Sequence, residues 1–352
     1  MFSAPKLIAC TIATSLLCVS SASVSAIDLI TISGQSERLA GDVEKVTKTA
    51  VTIKTRKGSQ EVAANTIEFI EWDGQPARLV GALGQERNGR YKEALETLKE
   101  VREKLPSTAT NLIDDVEFFQ ARIQGKIGLS DETQLQASID QLKDFLSGNL
   151  NYYRYFEGQE LLGRLYRTQK SYLEAETTYR SLEKSPFEGW QIAAKDGLAR
   201  IALAQNQLNE ALSQFNAVLG MKASTDQSKE RQLSAKLGKV ACLQKQNNHQ
   251  EARKLLEQLL SATKPNQTSL QAETYLRRAD SFLAEGKTQQ ALIDYLMVDV
   301  VFAGEAEYRA EALYQLTQLW PGVGHPERAQ DAAADLQSNF PSSEWTQKLT
   351  SP

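Results

Sequence analysis

The sequence predicts a mostly α-helical protein in which an α-α superhelix of paired helices follows a small all-β, barrel-like domain. Three observations support this fold class. Apolar residues alternate with a period of two between residues 27 and 72, which is typical of short strands. From Pro76 onward the apolar period is 3.6, which is typical of amphipathic helices. Within the helical part, one local pattern of small and aromatic residues recurs, which indicates a repeat array.

The first 26 residues have the features of a secretory signal peptide. Lys6 provides a positive charge, residues 7–19 are mainly apolar, and small residues at 24–26 form a cleavage signal. We expect cleavage after residue 26 and export of the mature chain to the periplasm or the medium. Acylation of Cys10 or Cys18 is the less favoured alternative. After this leader, no stretch reaches the roughly 20 apolar residues that a transmembrane helix needs.

Composition and charge argue against several classes of protein. The 352 residues are 41% hydrophobic and 24% charged, which is ordinary for a folded, soluble chain. There are 40 basic and 44 acidic residues, a net charge of −4, whereas a nucleic-acid-binding protein has a basic surplus. Without the leader, Cys242 is the only cysteine, so we expect no internal disulfide and an inert, buried thiol.

Five segments between residues 27 and 73 alternate apolar and polar residues and are separated by stretches rich in turn-forming residues. They are IDLITI, LAGDVEKV, AVTIKT, QEVAA and TIEFIEW. Five short strands hide an apolar face best in a small closed or half-open barrel. The order of these segments, with Ser33-Gly34 after the first, resembles the Sm-like and SH3-like small barrels.

The resemblance to Sm-like barrels implies a possible role for residues 27–73 in RNA binding, because Sm-like proteins bind RNA through rings of subunits. Acidic and basic residues nearly balance in this segment, however, so we expect no field that attracts phosphate. Lys54, Arg56 and Lys57 are predicted to form a solvated hairpin tip. Docking to a partner, or homo-oligomerisation through the barrel, is therefore the role that we favour.

A domain boundary is predicted at Asp73-Gly74-Gln75-Pro76, because glycine and proline mark turns and proline suits the first turn of a helix. Helical hairpins are predicted over residues 76–341 and a C-terminal tail over 342–352, with Trp345 folding back as a cap. The second hairpin is expected to contain an insertion, GLSDETQ, between its helices. The recurring alanines are 36 to 43 residues apart, at Ala94, Ala137, Ala175, Ala211, Ala252, Ala291 and Ala329.

The clearest copy of the pattern begins at Leu161. Its matching residues are Leu162-Gly163, Tyr166, Ala175, Tyr179 and Pro186, which follow the signature of the tetratricopeptide repeat, a 34-residue helix-turn-helix unit. Residues 76–341 therefore resemble an array of about seven tetratricopeptide units. The match departs from the family at Gln159, where tryptophan is usual, and Pro186 falls one residue early.

The small and aromatic residues of this pattern have a physical role. Gly163 and Ala175 must be small because the two helices of one hairpin touch there. Tyr166 and Tyr179 are expected to fill the space between that hairpin and its neighbours. One hairpin cannot bury its apolar face alone, so stacking of the units supplies the missing surface.

The resemblance to tetratricopeptide arrays also implies a concave groove lined by the first helix of each hairpin. The residues that it places there are Glu157, Glu160, Arg164, Arg167, Asp196 and Arg200. Arginine holds a carboxylate through paired hydrogen bonds, so this set is a candidate site for a peptide or protein partner. The alternative is that the three arginines only neutralise the neighbouring acids.

A second candidate for binding is the aromatic run NLNYYRYFEGQ, which precedes the best-matched unit. Tyr152 and Tyr153 stand beside Arg154 there, and such a mixture is typical of a peptide-binding edge. The interpretation that we favour is that two of the aromatic rings pack at the start of the helix and two face solvent or the neighbouring hairpin. We include both tyrosines among the candidate binding residues.

The sequence contains no recognisable catalytic or metal-binding set. Its two histidines, His249 and His325, lie about 76 residues apart in predicted turns. No phosphate-binding loop, nucleophile elbow or HExxH motif is present. We therefore expect no enzyme, no metal and no cofactor.

These observations lead to three functional hypotheses. The first is an exported, non-catalytic scaffold or adaptor that binds a protein or peptide partner in its groove, with no nucleic acid involved. The second is an RNA-binding protein built on the barrel. The third is an accessory subunit of an enzyme complex in the cell envelope. The sequence leaves the identity of the partner and the oligomeric state open.

Overall fold

The structure, a computed structural model, describes residues 27–350. The predicted signal peptide therefore lies outside the described residues, as do the last two residues of the chain. The described part begins with five strands and continues with fifteen α-helices.

The five strands form one antiparallel sheet. They are β1 Asp28–Ile32, β2 Leu39–Val46, β3 Ala50–Thr55, β4 Gly58–Ala63 and β5 Ile67–Glu71. The order across the sheet is β4-β3-β2-β1-β5, so the fifth strand returns to pair with the first. No pairing joins β4 to β5 among the described strands, so the strand order is open, as in the half-open form of the predicted barrel, and closure stays a prediction.

One face of this sheet is buried, in line with the period of two. Ile30 on β1 lies opposite Ile70 on β5, and both are fully buried. On β3, Val51 and Ile53 are fully buried while Lys54 is exposed. Exposed basic residues at 54, 56 and 57 lie around the β3–β4 turn, where the sequence predicted a hairpin tip.

The helices pair into seven hairpins within the described residues. The first helices are α1 Ala77–Arg87, α3 Thr110–Ser130, α5 Tyr155–Thr168, α7 Glu188–Ala204, α9 Asp226–Lys245, α11 Thr268–Ala284 and α13 Ala306–Leu319. The second helices are α2 Tyr91–Lys104, α4 Glu132–Gly148, α6 Tyr172–Leu182, α8 Leu208–Leu219, α10 His249–Ala262, α12 Thr288–Leu296 and α14 Pro326–Asn339. A last helix, α15 Glu344–Thr350, packs against α13 and α14.

Six of these seven hairpins turn in the same way. One residue between the helices has a φ between 59° and 87°, and it is Gly89, Lys170, Asn206, Asn247, Gly286 or Gly324. The next amide then donates to the carbonyl five residues back, as from Ser171 to Tyr166 at 2.9 Å. This Schellman arrangement satisfies carbonyls that the end of the first helix leaves free. The repeated turn gives the hairpins similar geometry.

The second hairpin differs from the others and corrects a prediction. We expected GLSDETQ to be an insertion, but Asp131 alone separates α3 from α4. Its carboxylate accepts a hydrogen bond from Thr133 N–H at 3.0 Å and so caps α4. The helices approach closely at Gly128, where a Cβ would lie 2.4 Å from Ser138 Oγ. The polar residues that suggested a loop therefore belong to the end of α3, the N-cap Asp131 and the start of α4.

Small residues let an aromatic ring of one hairpin pack against the next one. A Cβ added to Gly163 on α5 or to Gly197 on α7 would lie 2.7 or 2.4 Å from the ring of Tyr179 on α6. Phe215 on α8 meets Gly238 on α9 in the same way. The recurring alanines that are fully buried are Ala94, Ala175, Ala211, Ala252 and Ala291.

Candidate binding cavity

The first helices of the hairpins face inward, and the array winds so tightly that hairpins two positions apart touch. Arg231 on α9 contacts Glu160 on α5, with 2.6 Å between Nη1 and Oε1. Arg200 on α7 reaches Glu273 on α11 at 3.6 Å. These contacts narrow the predicted groove to a cavity that stays partly open to solvent.

The last hairpin also returns to the first ones. The hydroxyl of Tyr91, at the start of α2, donates to the main-chain oxygen of Gly304 at 3.0 Å. A Cβ at Gly304 would lie 2.7 Å from the oxygen of Arg87, so only glycine fits at this contact. Farther along, Arg164 on α5 pairs with Glu307 on α13 at 2.7 Å. The array therefore closes on itself.

The closed array surrounds a cavity of about 400 Å³. Its wall comes mainly from α5, α7, α9, α11 and α13, with contributions from the α3–α4 turn and α15. Such a volume lies in the range of small-ligand pockets. The ionisable lining residues, apart from tyrosines, are Arg164, Arg167, Arg200, Arg231, Arg277, Glu132, Glu160, Asp196, Glu230, Glu273, Glu307, Glu311 and Glu344.

Five of the seven candidate binding residues from the sequence line this cavity. Arg200 pairs with Asp196 one turn away at 2.9 Å, which is the neutralisation that the alternative interpretation predicted. Arg164 and Glu160 also line the wall, but each pairs with a different hairpin. Arg167 is the fifth and forms no ion pair within residues 27–350. Their role in binding stays a prediction.

Burial and neighbouring charges act in opposite directions on the pKa values of the ion-pair residues in the wall. Burial alone lowers the pKa of Arg200, but Asp196 and Glu273 outweigh it and hold that pKa above its ordinary value. Burial raises the pKa of Glu273, yet the neighbouring arginines, led by Arg200 and Arg277, bring it below its ordinary value. Both shifts favour the charged forms of Arg200 and Glu273, whereas burial outweighs Arg277 at Glu311 and raises the pKa of that carboxyl.

Two buried polar atoms of the wall have no hydrogen-bond partner within the described part of the chain. They are Nε of Arg167 and Oδ1 of Asp196. Asp196 is 7% exposed, and its other oxygen, Oδ2, accepts hydrogen bonds from Arg200 and Ser234. Buried polar groups are normally satisfied, so these two atoms call for a partner such as an ordered water, an ion or a bound group.

Sequence reasoning missed the far wall of the cavity, which α9, α11 and α13 provide. Arg231 lies there with its guanidinium 4.8 Å from the centre of the Trp190 ring, and Tyr308 donates to Glu273 at 3.2 Å. A signal was available, because these helices occupy the same place in their hairpins as α5 and α7. The pairing across hairpins gave no signal, because it depends on how tightly the array winds.

The other two candidate residues, Tyr152 and Tyr153, lie away from this cavity. They are 5% and 3% exposed, and their hydroxyls donate to Asp115 on α3 at 2.6 and 3.2 Å. The indole N–H of Trp72, which follows β5, donates to the same carboxylate at 2.7 Å. We therefore correct the expectation of an exposed binding edge. Both rings belong to the joint between sheet and helices, beside a second cavity of about 330 Å³.

Arg154 completes this joint. Its guanidinium donates to the hydroxyl of Tyr153 at 3.1 Å, to Glu157 at 2.9 Å and to the main-chain oxygen of Glu68 on β5. Although burial raises the pKa of Glu157, Arg154 and Arg122 outweigh it and lower that pKa to about 2. Glu157, which the sequence placed in the groove, is therefore held by arginines of the joint and is not part of the cavity wall.

Other kinds of site find no support within residues 27–350. No helix there combines the length and apolar composition that a bilayer span requires. No three His, Cys, Asp or Glu residues of this part come together as a potential metal site. Cys242 is fully buried, and burial raises the pKa of its thiol, in line with the inert residue that we expected.

Comparison with known proteins bears on the fold. No protein-family model and no curated protein matches the chain. A Rap protein complexed with Competence and Sporulation Factor matches with 15% identity over 77% of this chain and 77% of its own, with a TM-score of 0.50. A tetratricopeptide repeat protein from Parabacteroides merdae has 19% identity over 77% of this chain and 95% of its own, with a TM-score of 0.45.

The likeness to the Rap protein concerns the fold alone, because only 15% of the residues are identical. It agrees with the seven hairpins and their recurring turns. The helical part of the chain thus has a repeat fold of the tetratricopeptide type, and it follows a five-stranded antiparallel sheet.

Proposed function

We propose that the protein is an exported, non-catalytic scaffold that holds a segment of a protein or peptide partner in this cavity. The observation that carries this proposal is the pair of unsatisfied buried atoms, Arg167 Nε and Asp196 Oδ1, on the cavity wall. A peptide group offers a carbonyl oxygen to the arginine and an N–H to the carboxylate. A segment of polypeptide chain therefore supplies both of the missing partners.

The size of the cavity favours a short segment over a folded domain. A volume of about 400 Å³ lies near the lower end of the range for small-ligand sites. Repeat arrays commonly present their concave surface to partners. The Rap protein of similar fold was solved in complex with Competence and Sporulation Factor, which supports a binding role for a helical array of this kind.

The cavity is tested with a matched pair of serine substitutions. Ser269 on α11 is exposed and lines the cavity, so Ser269→Trp fills the cavity without entering the core. Ser213 on α8 is exposed and does not line the cavity, so Ser213→Trp is the control. Crosslinking followed by mass spectrometry is expected to recover a partner with the wild-type protein and the control, but not with Ser269→Trp. Circular dichroism verifies that both variants are folded.

Two results count against this proposal. If Ser269→Trp keeps every partner of the wild-type protein, the cavity is not the binding site. If the purified protein alone has hydrolase activity, it is not a non-catalytic scaffold. Recovery of an enzyme at fixed stoichiometry instead supports the narrower role of accessory subunit in an enzyme complex.

Export rests on residues 1–26, whose pattern is that of a signal peptide. We expect the full-length chain to appear in the exported fraction of the cell with Ile27 at its N-terminus. Cell fractionation and N-terminal sequencing check this expectation. A chain that stays in the cytoplasm with residues 1–26 intact contradicts export but leaves the binding proposal standing.

A further inference from the structure

The charges on the cavity wall do not balance. Eight carboxylates and five guanidinium groups line it, so the carboxylates are in excess by three. The whole chain of 352 residues has a net charge of only −4, so the acidic surplus is concentrated at the cavity. A concave surface with one sign of charge raises the local concentration of ions of the opposite sign.

The arginines that suggested a site for a carboxylate are mostly occupied. Four of the five already pair with carboxylates at 2.6 to 2.9 Å, as Arg164–Glu307, Arg200–Asp196, Arg231–Glu160 and Arg277–Glu311. An incoming carboxylate would have to displace one of these acids and leave it without its cation. Losing one partner of a largely buried ion pair is unfavourable, so the wall is poorly suited to an acidic ligand.

The carboxylates without an arginine partner come from three different helices. Glu132 on α4 and Glu230 on α9 are exposed and form no ion pair within residues 27–350. Glu344 on α15 is also exposed and pairs only with Lys348, at 3.1 Å. Glu132 and Glu230 are therefore available to a cationic side chain that enters the cavity, whereas Glu344 would exchange Lys348 for it.

The unsatisfied oxygen of Asp196 is an observation independent of the charge count. This residue is 93% buried, and its Oδ1 lacks a donor within the described residues. A main-chain N–H satisfies this oxygen, and an ammonium or guanidinium group satisfies it with a positive charge in addition, whereas a carboxylate has no donor to offer. Tyr308 also lines the cavity, and aromatic faces attract cations, whereas Lys348 already lies 3.8 Å from the centre of the Trp345 ring.

We infer that the cavity selects a basic segment of its partner, one that carries lysine or arginine side chains on an extended backbone. Carboxylates of the wall hold the cationic side chains, and Arg167 Nε–H donates a hydrogen bond to a main-chain carbonyl oxygen. This inference rests on the proposed function, since it names the chemistry of the segment that the cavity binds. From the sequence, the arginines suggested a ligand with carboxylate groups. The structure favours a ligand of the opposite charge.

The probes are two short fluorescent peptides of equal length, one alternating lysine with alanine and the other glutamate with alanine. Binding to the full mature chain is followed by fluorescence anisotropy. We expect the lysine peptide to bind and the glutamate peptide not to bind. Raising the ionic strength from about 0.1 to 1 M shortens the Debye length from about 10 to 3 Å and should weaken this binding strongly.

A matched set of variants separates the cavity from the general acidity of the chain. Glu132→Gln, Glu230→Gln and Glu344→Gln are combined in one protein. The control combines Glu96→Gln, Glu103→Gln and Glu174→Gln, which neutralise three exposed carboxylates of second helices that do not line the cavity. We expect the first protein to bind the lysine peptide about tenfold more weakly, since three partly exposed ion pairs are lost, and the control to change by less than about twofold.

The outcomes distinguish this inference from the proposed function. If the glutamate peptide binds and Ser269→Trp abolishes that binding, the cavity is a binding site but its preference for basic segments is refuted. Equal weakening in both triple variants also refutes it, because the attraction is then not located at the cavity. If neither peptide binds and Ser269→Trp keeps every partner of the wild-type protein, the inference and the proposed function both fail.

Discussion

Two buried polar networks of this protein have similar chemistry but differ in how completely they are satisfied. At the joint between sheet and helices, the Asp115 carboxylate accepts hydrogen bonds from Trp72, Tyr152 and Tyr153. At the cavity wall, Asp196 has donors for Oδ2 but none for Oδ1 within the described residues. The arginines differ in the same way. Arg154 donates hydrogen bonds to three groups of the joint, whereas Nε of Arg167 has no partner within the described residues.

The difference indicates two roles. A buried network in which every group has a partner holds parts of a fold together, and its loss is costly. A network beside a cavity that leaves one donor and one acceptor unpaired can form hydrogen bonds with a bound partner. Stability measurements on matched variants are the most direct way to test whether the joint and the wall differ in this way.

The largest expected effect comes from removing the carboxylate at the joint. Asp115→Ala leaves three buried donors without an acceptor, and we expect it to lower the free energy of unfolding by about 3–5 kcal/mol. Asp196→Ala removes one of the two carboxylates that face Arg200, while Glu273 remains at 3.6 Å, and we expect a smaller loss of about 1.5–3 kcal/mol. Urea denaturation of both variants measures the two values. Equal losses would remove the distinction between joint and wall.

The next effect compares two arginines. Arg154→Met removes hydrogen bonds from a charged group to Tyr153, Glu157 and the main chain of β5, and we expect it to cost about 1.5–3 kcal/mol. Arg167→Met removes no hydrogen bond or ion pair that the side chain forms within residues 27–350, so stability should change by less than about 0.5 kcal/mol. Thermal and chemical denaturation check both. A large loss for Arg167→Met would assign that residue to the framework.

The smallest effect concerns Asp114, which lies next to Asp115 and borders the cavity of the joint. Burial, followed by Glu117 and Asp115, raises the pKa of Asp114 from an ordinary 3.8 to about 6. A carboxyl whose pKa is higher in the folded state stabilises the fold at low pH. That contribution is present below the unfolded pKa and is lost as the pH rises through the folded value.

The wild-type protein should lose stability as the pH rises from about 4 to 6, because Asp114 then becomes charged. We expect Asp114→Asn to remove part of this loss. Relative to the wild-type protein, this variant should gain stability at about pH 7 and change little at about pH 4. Asp144→Asn on α4 is the control, because Asp144 is exposed and borders neither cavity. Denaturation midpoints measured across this pH range test the prediction. Identical pH profiles for both variants would contradict a raised pKa at Asp114.

Much of the framework was predictable because it depends on short-range features of the sequence. The period of 3.6 and the recurring small residues located the hairpins, and Tyr179 packs against Gly163 of its own hairpin and Gly197 of the next. The strands also lie close to the predicted segments. The second hairpin misled the prediction because a polar stretch that caps and ends helices resembles a loop when it is read alone.

The candidate site was predictable only in part. Repeat symmetry brought Glu160, Arg164, Arg167, Asp196 and Arg200 together on inward-facing helices, and the structure places all five at one cavity. Tyr152 and Tyr153 had the composition of a binding edge, but their acceptor on α3 lies 37 and 38 residues away. Nothing in the local pattern reveals that such a partner buries them.

The sequence by itself determined that this chain forms a sheet followed by repeated helical hairpins, because apolar period, small residues and turn residues act over a few neighbouring positions. Only the tertiary structure decided that the array closes around a cavity. The ion pair between Arg164 and Glu307 joins residues 143 positions apart. Whether they meet depends on small rotations that accumulate from one hairpin to the next, and these same rotations decide which charges are neutralised and which remain for a partner.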